Sequence, residues 1–212
     1  AQGCNARIVF PEGAHPKILR AAQLLVDERI CQPVLVGQEW KVLNRAKQAN
    51  VDLTGIDIVE QLEDETFDEY AKSLWESRQR KGMTLSAARQ ELRNQTSYGM
   101  MMVQQGDADG LLGGLATPYQ STIRPALQVL GKAPEVSSIS GVYVMLFKGR
   151  RFYFGDCTVN VDPDAATLAQ IAQNTAMVAR QFGDSPRVAL LSYSDFGENR
   201  GYADVDKVAQ AL

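Results

Sequence analysis

RIVFPEGAHPKILRAAQLLVDERICQPVLV, residues 7–36, reads as strand, helix and strand in succession. Arg7–Phe10 is a short apolar run stopped by Pro11-Glu12-Gly13. Ile18, Ala21, Ala22, Leu25 and Val26 then recur at helical spacing, and Gln32–Val36 is a second apolar run closed by Gly37. Strands that alternate with helices pair in parallel, so this stretch predicts a layered α/β fold. The alternation continues with a helix from about Glu39 to Gln48 and a third short strand at Ile56–Val59.

Further along, Phe67, Tyr70, Ala71, Leu74 and Trp75 mark a strong helix within Thr66–Lys81. Thr84 is placed to cap the next one. Tyr98–Val103 is helical, and Met100, Met101 and Met102 read as core packing, where thioethers fill irregular space. Gly110–Gly114 reads as a short buried strand, followed by a helix within Thr117–Gly131. Val142–Phe147 and Arg151–Phe154, joined at Lys148-Gly149-Arg150, suggest an antiparallel hairpin. Asp164–Phe182 is a long helix, Arg187–Leu191 another buried strand, and Asp204 a cap for the last helix. The expected architecture is a three-layer, mostly parallel sheet flanked by helices, with part of a second α/β domain. The expected parts are residues 1–135 and 136–212, because Gly131, Pro134 and the serines at 137, 138 and 140 cluster at the join. A helix still running at Leu212 predicts a natural chain that continues.

The chain has 212 residues, 45% hydrophobic and 22% charged, which is ordinary for a folded domain and argues against disorder. The net charge of −3 makes nucleic acid an unexpected partner, since a phosphate backbone rewards a basic face. No apolar run approaches the roughly 18 residues of a membrane span, so no membrane partner is expected. Cys4, Cys31 and Cys157 are odd in number and lack CxxC spacing, so neither a disulfide framework nor a metal site is expected. A cytoplasmic protein is. His15 is the single histidine, so a Ser-His-Asp triad could rest on no other base.

Three loops lie between a predicted strand and a predicted helix, where open α/β sheets bind ligands. The first, Gly113–Ser121, offers two glycines, the hydroxyls of Thr117 and Ser121, and Arg124 one turn into the helix, a set suited to phosphate. Alternatively it is a plain turn with Ser121 as N-cap and Arg124 on a solvated face. The second, Gly155–Asp164, carries Asp156 and Asn160, either orienting a substrate or closing Asx turns of its own. The third, Leu191–Gly201, carries Ser192, Ser194 and Gly197 beside Asp195 and Glu198, whose charge opposes an anion. Pro11–His15 reads most simply as a turn between strand and helix.

These segments resemble phosphate acetyltransferases. RIVFPEG (7–13), KILRAAQLL (17–25), KGMTLSAARQEL (81–92), YGMMMV (98–103), GDADG (106–110), RPALQV (124–129), GDCTVNVDP (155–163), RVALLSYSDFG (187–197) and VDKV (205–208) run in the family's order along nearly the whole chain. The resemblance implies acetyl transfer between CoA and inorganic phosphate, by attack of the CoA thiolate on acetyl phosphate. It also implies a two-domain α/β fold and a homo-oligomer.

Two positions depart from the active pattern. Asp195-Phe196-Gly197 replaces a threonine-lysine-glycine sequence, and Thr117 stands where the family usually has histidine. The third loop is instead similar to the transferase-like C-terminal domain of NADP-dependent malic enzymes. The expectation that follows is an acetyl-CoA-binding regulatory and oligomerisation domain. Its parent would oxidise malate to pyruvate with NADP and a divalent metal, with no cofactor in this chain itself. Thr117, Ser121, Arg124, Asn160, Ser192, Ser194 and Gly197 would then bind acyl-CoA or phosphate, with no catalytic residue assigned. The alternative is an active phosphate acetyltransferase. In it Arg124 would stabilise charge on the phosphate and carbonyl oxygens, and Asn160 and Ser192 would orient substrate.

Overall fold

The computed structural model describes residues 5–134, 136–194 and 201–212. The chain divides into two compact units, Ala1–Gly131 and Lys132–Leu212.

In the first unit the elements alternate as the apolar pattern demands. They are β1 (Arg7–Phe10), α1 (Pro16–Asp27), β2 (Gln32–Val36), α2 (Glu39–Ala49), β3 (Asp57–Val59), α3 (Phe67–Arg78), α4 (Leu85–Glu91), α5 (Gln95–Gln105), β4 (Gly110–Leu111) and α6 (Tyr119–Val129). A 3₁₀ turn, Gln79–Lys81, extends α3 to the end the sequence predicts. The four strands form one parallel sheet in the order β3-β2-β1-β4, with Val9 opposite Val34 and Leu111.

Side chains alternate along a strand, so each strand feeds two cores. Phe10 and Leu35 pack with Ile18, Leu19 and Ala22 of α1 and with Val42 and Ala46 of α2. Val9, Val34 and Val36 point the other way, against Leu74 of α3, Ala88 of α4 and Met100–Met102 of α5. The result is the expected three layers. Each fully buried Leu or Val contributes about 1.5–3 kcal/mol, which is why near-continuous apolar strands suit a sheet covered on both faces. All three methionines are buried, as their adjacency predicts. Gly99 lets α5 lie close on the sheet, because a Cβ there would stand 2.8 Å from both Val9 Cγ1 and Leu111 Cδ1.

The sheet order sets the place for a ligand. From β1 the chain steps through α1 and α2 to β2 and β3 on one side. It then returns through α3, α4 and α5 to β4 on the other side of β1. The carboxyl ends of β1 and β4 therefore flank a topological switch point.

In the second unit, β5 (Val142–Phe147) and β6 (Arg150–Gly155) pair antiparallel. Lys148 and Gly149 at their turn both have positive φ, as a two-residue hairpin turn requires. α7 (Ala165–Gln181) begins at Asp164, whose carboxylate accepts the Thr167 N–H, and α8 (Ala203–Gln210) follows. Arg187–Leu191 is not the expected strand. Among the described residues it pairs with no strand, and Leu191 is 88% exposed. The last helix also differs at its start: Tyr202 takes the cap position and Asp204 sits within the first turn. Among the described residues no helix is long and apolar enough to cross a membrane.

Candidate functional site

β1 ends at Pro11-Glu12-Gly13 and β4 ends at Leu111, so the switch point is lined by Glu12 and by the loop 112–118. Glu12 is half-buried, and its carboxylate accepts three consecutive backbone N–H groups. Oε2 takes those of Gly114 at 3.2 Å and Leu115 at 2.9 Å, and Oε1 takes that of Ala116 at 2.7 Å. The Thr117 hydroxyl stands 3.5 Å from Oε1. Thr117 thus lies in a loop closed by an internal carboxylate. Sequence alone gives Glu12 only the part of a turn residue. Its one signal is a carboxylate directly after a buried strand.

The loop runs into α6, whose cap position is Pro118. Ser121 is therefore in the first turn and caps nothing with its side chain, which corrects its reading as N-cap. Ser121 and Arg124 border one cleft of about 820 Å³, together with Arg78, Glu91 and Asn94. Three of these side chains are committed. Asn94 accepts the N–H groups of Thr96 and Ser97 at the start of α5. Glu91 accepts the Ser97 hydroxyl at 2.6 Å. Arg78 donates from Nε to the Gln128 carbonyl at 2.6 Å and from Nη2 to the Leu127 carbonyl. It thereby braces the carbonyl end of α6, where a cation is electrostatically favoured. Arg124 and the Ser121 hydroxyl make no hydrogen bond among the described residues, and both are exposed. The cleft thus offers one guanidinium fork and one hydroxyl free for an anion, with a second arginine alongside. Arg78 was missed in the sequence, because nothing in an amphipathic helix distinguishes a cleft arginine from a solvated one.

In the second unit the loop after β6 folds around Asp156. Its Oδ1 accepts the N–H groups of Gly141, Thr158 and Val159, each at 3.1 Å. Its Oδ2 accepts the Asn160 N–H at 2.9 Å and the Asn160 Nδ2 at 2.6 Å. Burial pushes the Asp156 carboxyl up, but the bonds from Thr158, Asn160 and Val159 outweigh it and hold it below the ordinary carboxylate range. Asn160 Nδ2 also donates to the Ile139 carbonyl at 2.9 Å. Both amide hydrogens of Asn160 are therefore occupied, and only Oδ1 is left to meet a substrate. Lys207 ties the same loop to α8 through Asp162 at 2.7 Å, and that bond raises its ammonium above the usual lysine range.

Asn160 and Cys157 border a hollow of about 920 Å³ within the second unit, walled by Ile171, Ala176 and Leu191 among others. In the third loop the Ser192 hydroxyl accepts the Ser194 N–H at 3.3 Å. Asp195, Phe196 and Gly197 lie outside the described residues. Among the described residues no group of three histidine, cysteine or acidic side chains could hold a metal ion.

A parallel sheet with helices on both faces, a switch-point loop and an arginine-bearing helix after it define an α/β protein of the class whose ligand sites lie at the carboxyl ends of the strands. The family model described as Phosphate acetyl/butaryl transferase matches residues 1–212, and the chain belongs to that family. It is 42% identical over 205 residues to the phosphate acetyltransferase of Nitratidesulfovibrio vulgaris, covering 97% of this chain and 29% of that protein. It is 39% identical over 212 residues to that of Corynebacterium glutamicum, covering 100% of this chain and 64% of that protein. Its fold matches the EutD phosphotransacetylase from Staphylococcus aureus with a TM-score of 0.89 at 37% identity, over 100% of this chain and 63% of that one. The chain thus spans less than two thirds of the length of these relatives.

These matches overturn the expected malic-enzyme regulatory domain. The relatives from Nitratidesulfovibrio vulgaris and Corynebacterium glutamicum, similar along nearly the whole chain, are phosphate acetyltransferases. The departures at Asp195-Phe196-Gly197 and at Thr117 are local, whereas the similarity runs along the whole chain. The NADP and divalent metal belonged to that reading and are withdrawn with it.

Proposed function

We propose that this chain forms part of an active phosphate acetyltransferase, which moves acetyl between CoA and inorganic phosphate. The observation that carries the proposal is the cleft on α6, where the free guanidinium of Arg124 and the Ser121 hydroxyl sit beside Arg78. Family membership supports CoA and phosphate as the substrates, and the cleft supports a place for their charge.

The CoA thiolate sulfur attacks the carbonyl carbon of acetyl phosphate. A carbon–sulfur bond forms, the bond from that carbon to the phosphate oxygen breaks, and phosphate leaves with the electron pair. Negative charge builds on the carbonyl oxygen in between. A guanidinium aimed at that oxygen stabilises the charge as it develops. Arg124 takes that role, and Ser121 and Thr117 give hydroxyl contacts. Asn160 orients substrate through Oδ1, with Ser192, Ser194 and Gly197 as further contacts of the CoA phosphates. No residue of this chain is assigned as the base for the thiol. The same proposal carries a division at 135/136 and a homo-oligomer. It also carries a cytoplasmic setting, which the three cysteines without pairing spacing support.

The test is phosphate-dependent release of CoA thiol from acetyl-CoA by the full-length protein. Turnover is expected. Its absence, while acetyl-CoA still binds, would overturn the proposal.

A further inference from the structure

The structure points to Glu12 as the residue that positions the phosphate-side loop; we propose that its carboxylate is a built-in anion holding residues 114–117 in the shape that aims α6 at substrate. The inference rests on the transferase reading for its kinetic consequence, but its structural core stands apart from it.

Three consecutive N–H groups converging on one carboxylate make a concave donor site of the kind backbone nests offer to anions. Such a site at a switch point would ordinarily be the place for a ligand phosphate. Here both carboxylate oxygens of Glu12 already fill it, at 2.7–3.2 Å. Two consequences follow. The three N–H groups are denied to an incoming phosphate, which must look to the side-chain donors of α6 instead. And the loop that leads into α6 is tied to the end of β1, whose Val9 is fully enclosed beside Val34, Leu35 and Val36 of β2. Gly113 completes the tie: a Cβ there would stand 2.9 Å from Pro11 Cγ, so the loop passes directly against the residue before Glu12. Glu12 touches no reacting atom and acts through the backbone that carries Thr117 and precedes Ser121 and Arg124.

The test uses Glu12→Ala and Glu12→Gln in the full-length protein, with two readouts. The first is amide hydrogen exchange of residues 113–117, which is independent of turnover. Glu12→Ala should speed it at least tenfold and leave α1 and β2 unchanged, and added formate should restore protection by refilling the site. Glu12→Gln should behave alike without rescue, since its side chain still blocks the site but turns an NH₂ toward the donors. The second readout is thiol release. Charged hydrogen bonds of this kind give roughly a ten- to hundredfold loss when removed. That loss should fall on kcat/KM in Glu12→Ala and be reversed by formate over the same concentrations that restore protection. Unchanged exchange at 113–117 in Glu12→Ala overturns the proposal, and so does a loss of protection that formate does not reverse. A wild-type protein without thiol release, whose exchange nevertheless shows formate rescue in Glu12→Ala, sinks the transferase reading and leaves the positioning role standing.

Discussion

Arg124 is exposed on α6, its guanidinium meets no described partner, and it shares a cleft with Ser121. If it stabilises developing charge, Arg124→Ala should lower kcat by about a hundred- to a thousandfold, the range for losing one preorganised donor to a developing oxyanion. Arg124→Lys should recover only part, because an ammonium lacks the planar fork that matches phosphate or carboxylate. Thiol release measured on both variants decides it; a loss under threefold in Arg124→Ala would remove the residue from the site. The sequence offers Arg124 as a candidate because a guanidinium one turn past a glycine-bearing loop is a recognisable anion pattern, and the structure sets it at the edge of a cleft. Glu12 and Arg78 were not. Their roles depend on what the fold brings beside them, residues 114–116 for one and 127–128 for the other, and no local spacing encodes a partner about a hundred or fifty positions away. Phe196 bears on the activity less than its loop suggests, for a related reason. One lost positive charge in one loop does not remove the arginine on a different element.

At the level of elements, Asp156 gathers four backbone N–H groups and the Asn160 side chain around the start of its loop. Its carboxyl is held below the ordinary range, so the charged form stabilises the fold. That contribution is present above the unfolded carboxyl pKa of about 3.9, and is lost as pH falls through the lower folded value. Asp156→Asn should destabilise the full-length protein by roughly 1–3 kcal/mol at neutral pH, the usual penalty for buried donors left unsatisfied. The deficit should shrink below about pH 4. Thermal unfolding of both proteins across pH 2–7 tests this; a difference that stays constant with pH would show that the carboxylate charge is not what matters. A second element-scale case is Gly99→Ala, whose Cβ would press on Val9 and Leu111 where α5 meets the sheet. A cost of about 1–3 kcal/mol is expected from overpacking, read as a lower denaturation midpoint at unchanged slope. Elements covered on both faces were the most legible: Arg7–Phe10 and Gln32–Val36 have the bounds their apolar runs predict. Arg187–Leu191 has the same kind of run and forms no strand, because an apolar run records a need for burial and not the presence of a pairing neighbour. Asp164 caps as expected, whereas Ser121 and Asp204 each fall inside a first turn, since a shift of two or three residues at a helix start leaves the sequence pattern intact.

At the level of the whole chain, burial is unevenly shared. The first unit encloses two clusters that sandwich its sheet. The second, among the described residues, fully buries only Ile171, Ala176, Ala179 and Val205 as apolar side chains. Its hairpin leaves Leu146 77% and Phe147 60% exposed. Local opening free energy follows buried apolar contact, so the two units should not share one stability. In the 212-residue chain, the slowest-exchanging amides should lie in β1, β2 and α5. Those of α7 should exchange at least tenfold faster, even though α7 is the longest helix and carries a sound N-cap. Helix length and capping set local propensity, whereas protection requires a face packed against something, and α7 presents few enclosed side chains. Native-state hydrogen exchange followed residue by residue tests this. If α7 amides are protected to the same free energy as those of β2, the units unfold together and the second unit draws its stability from contacts other than its own apolar core.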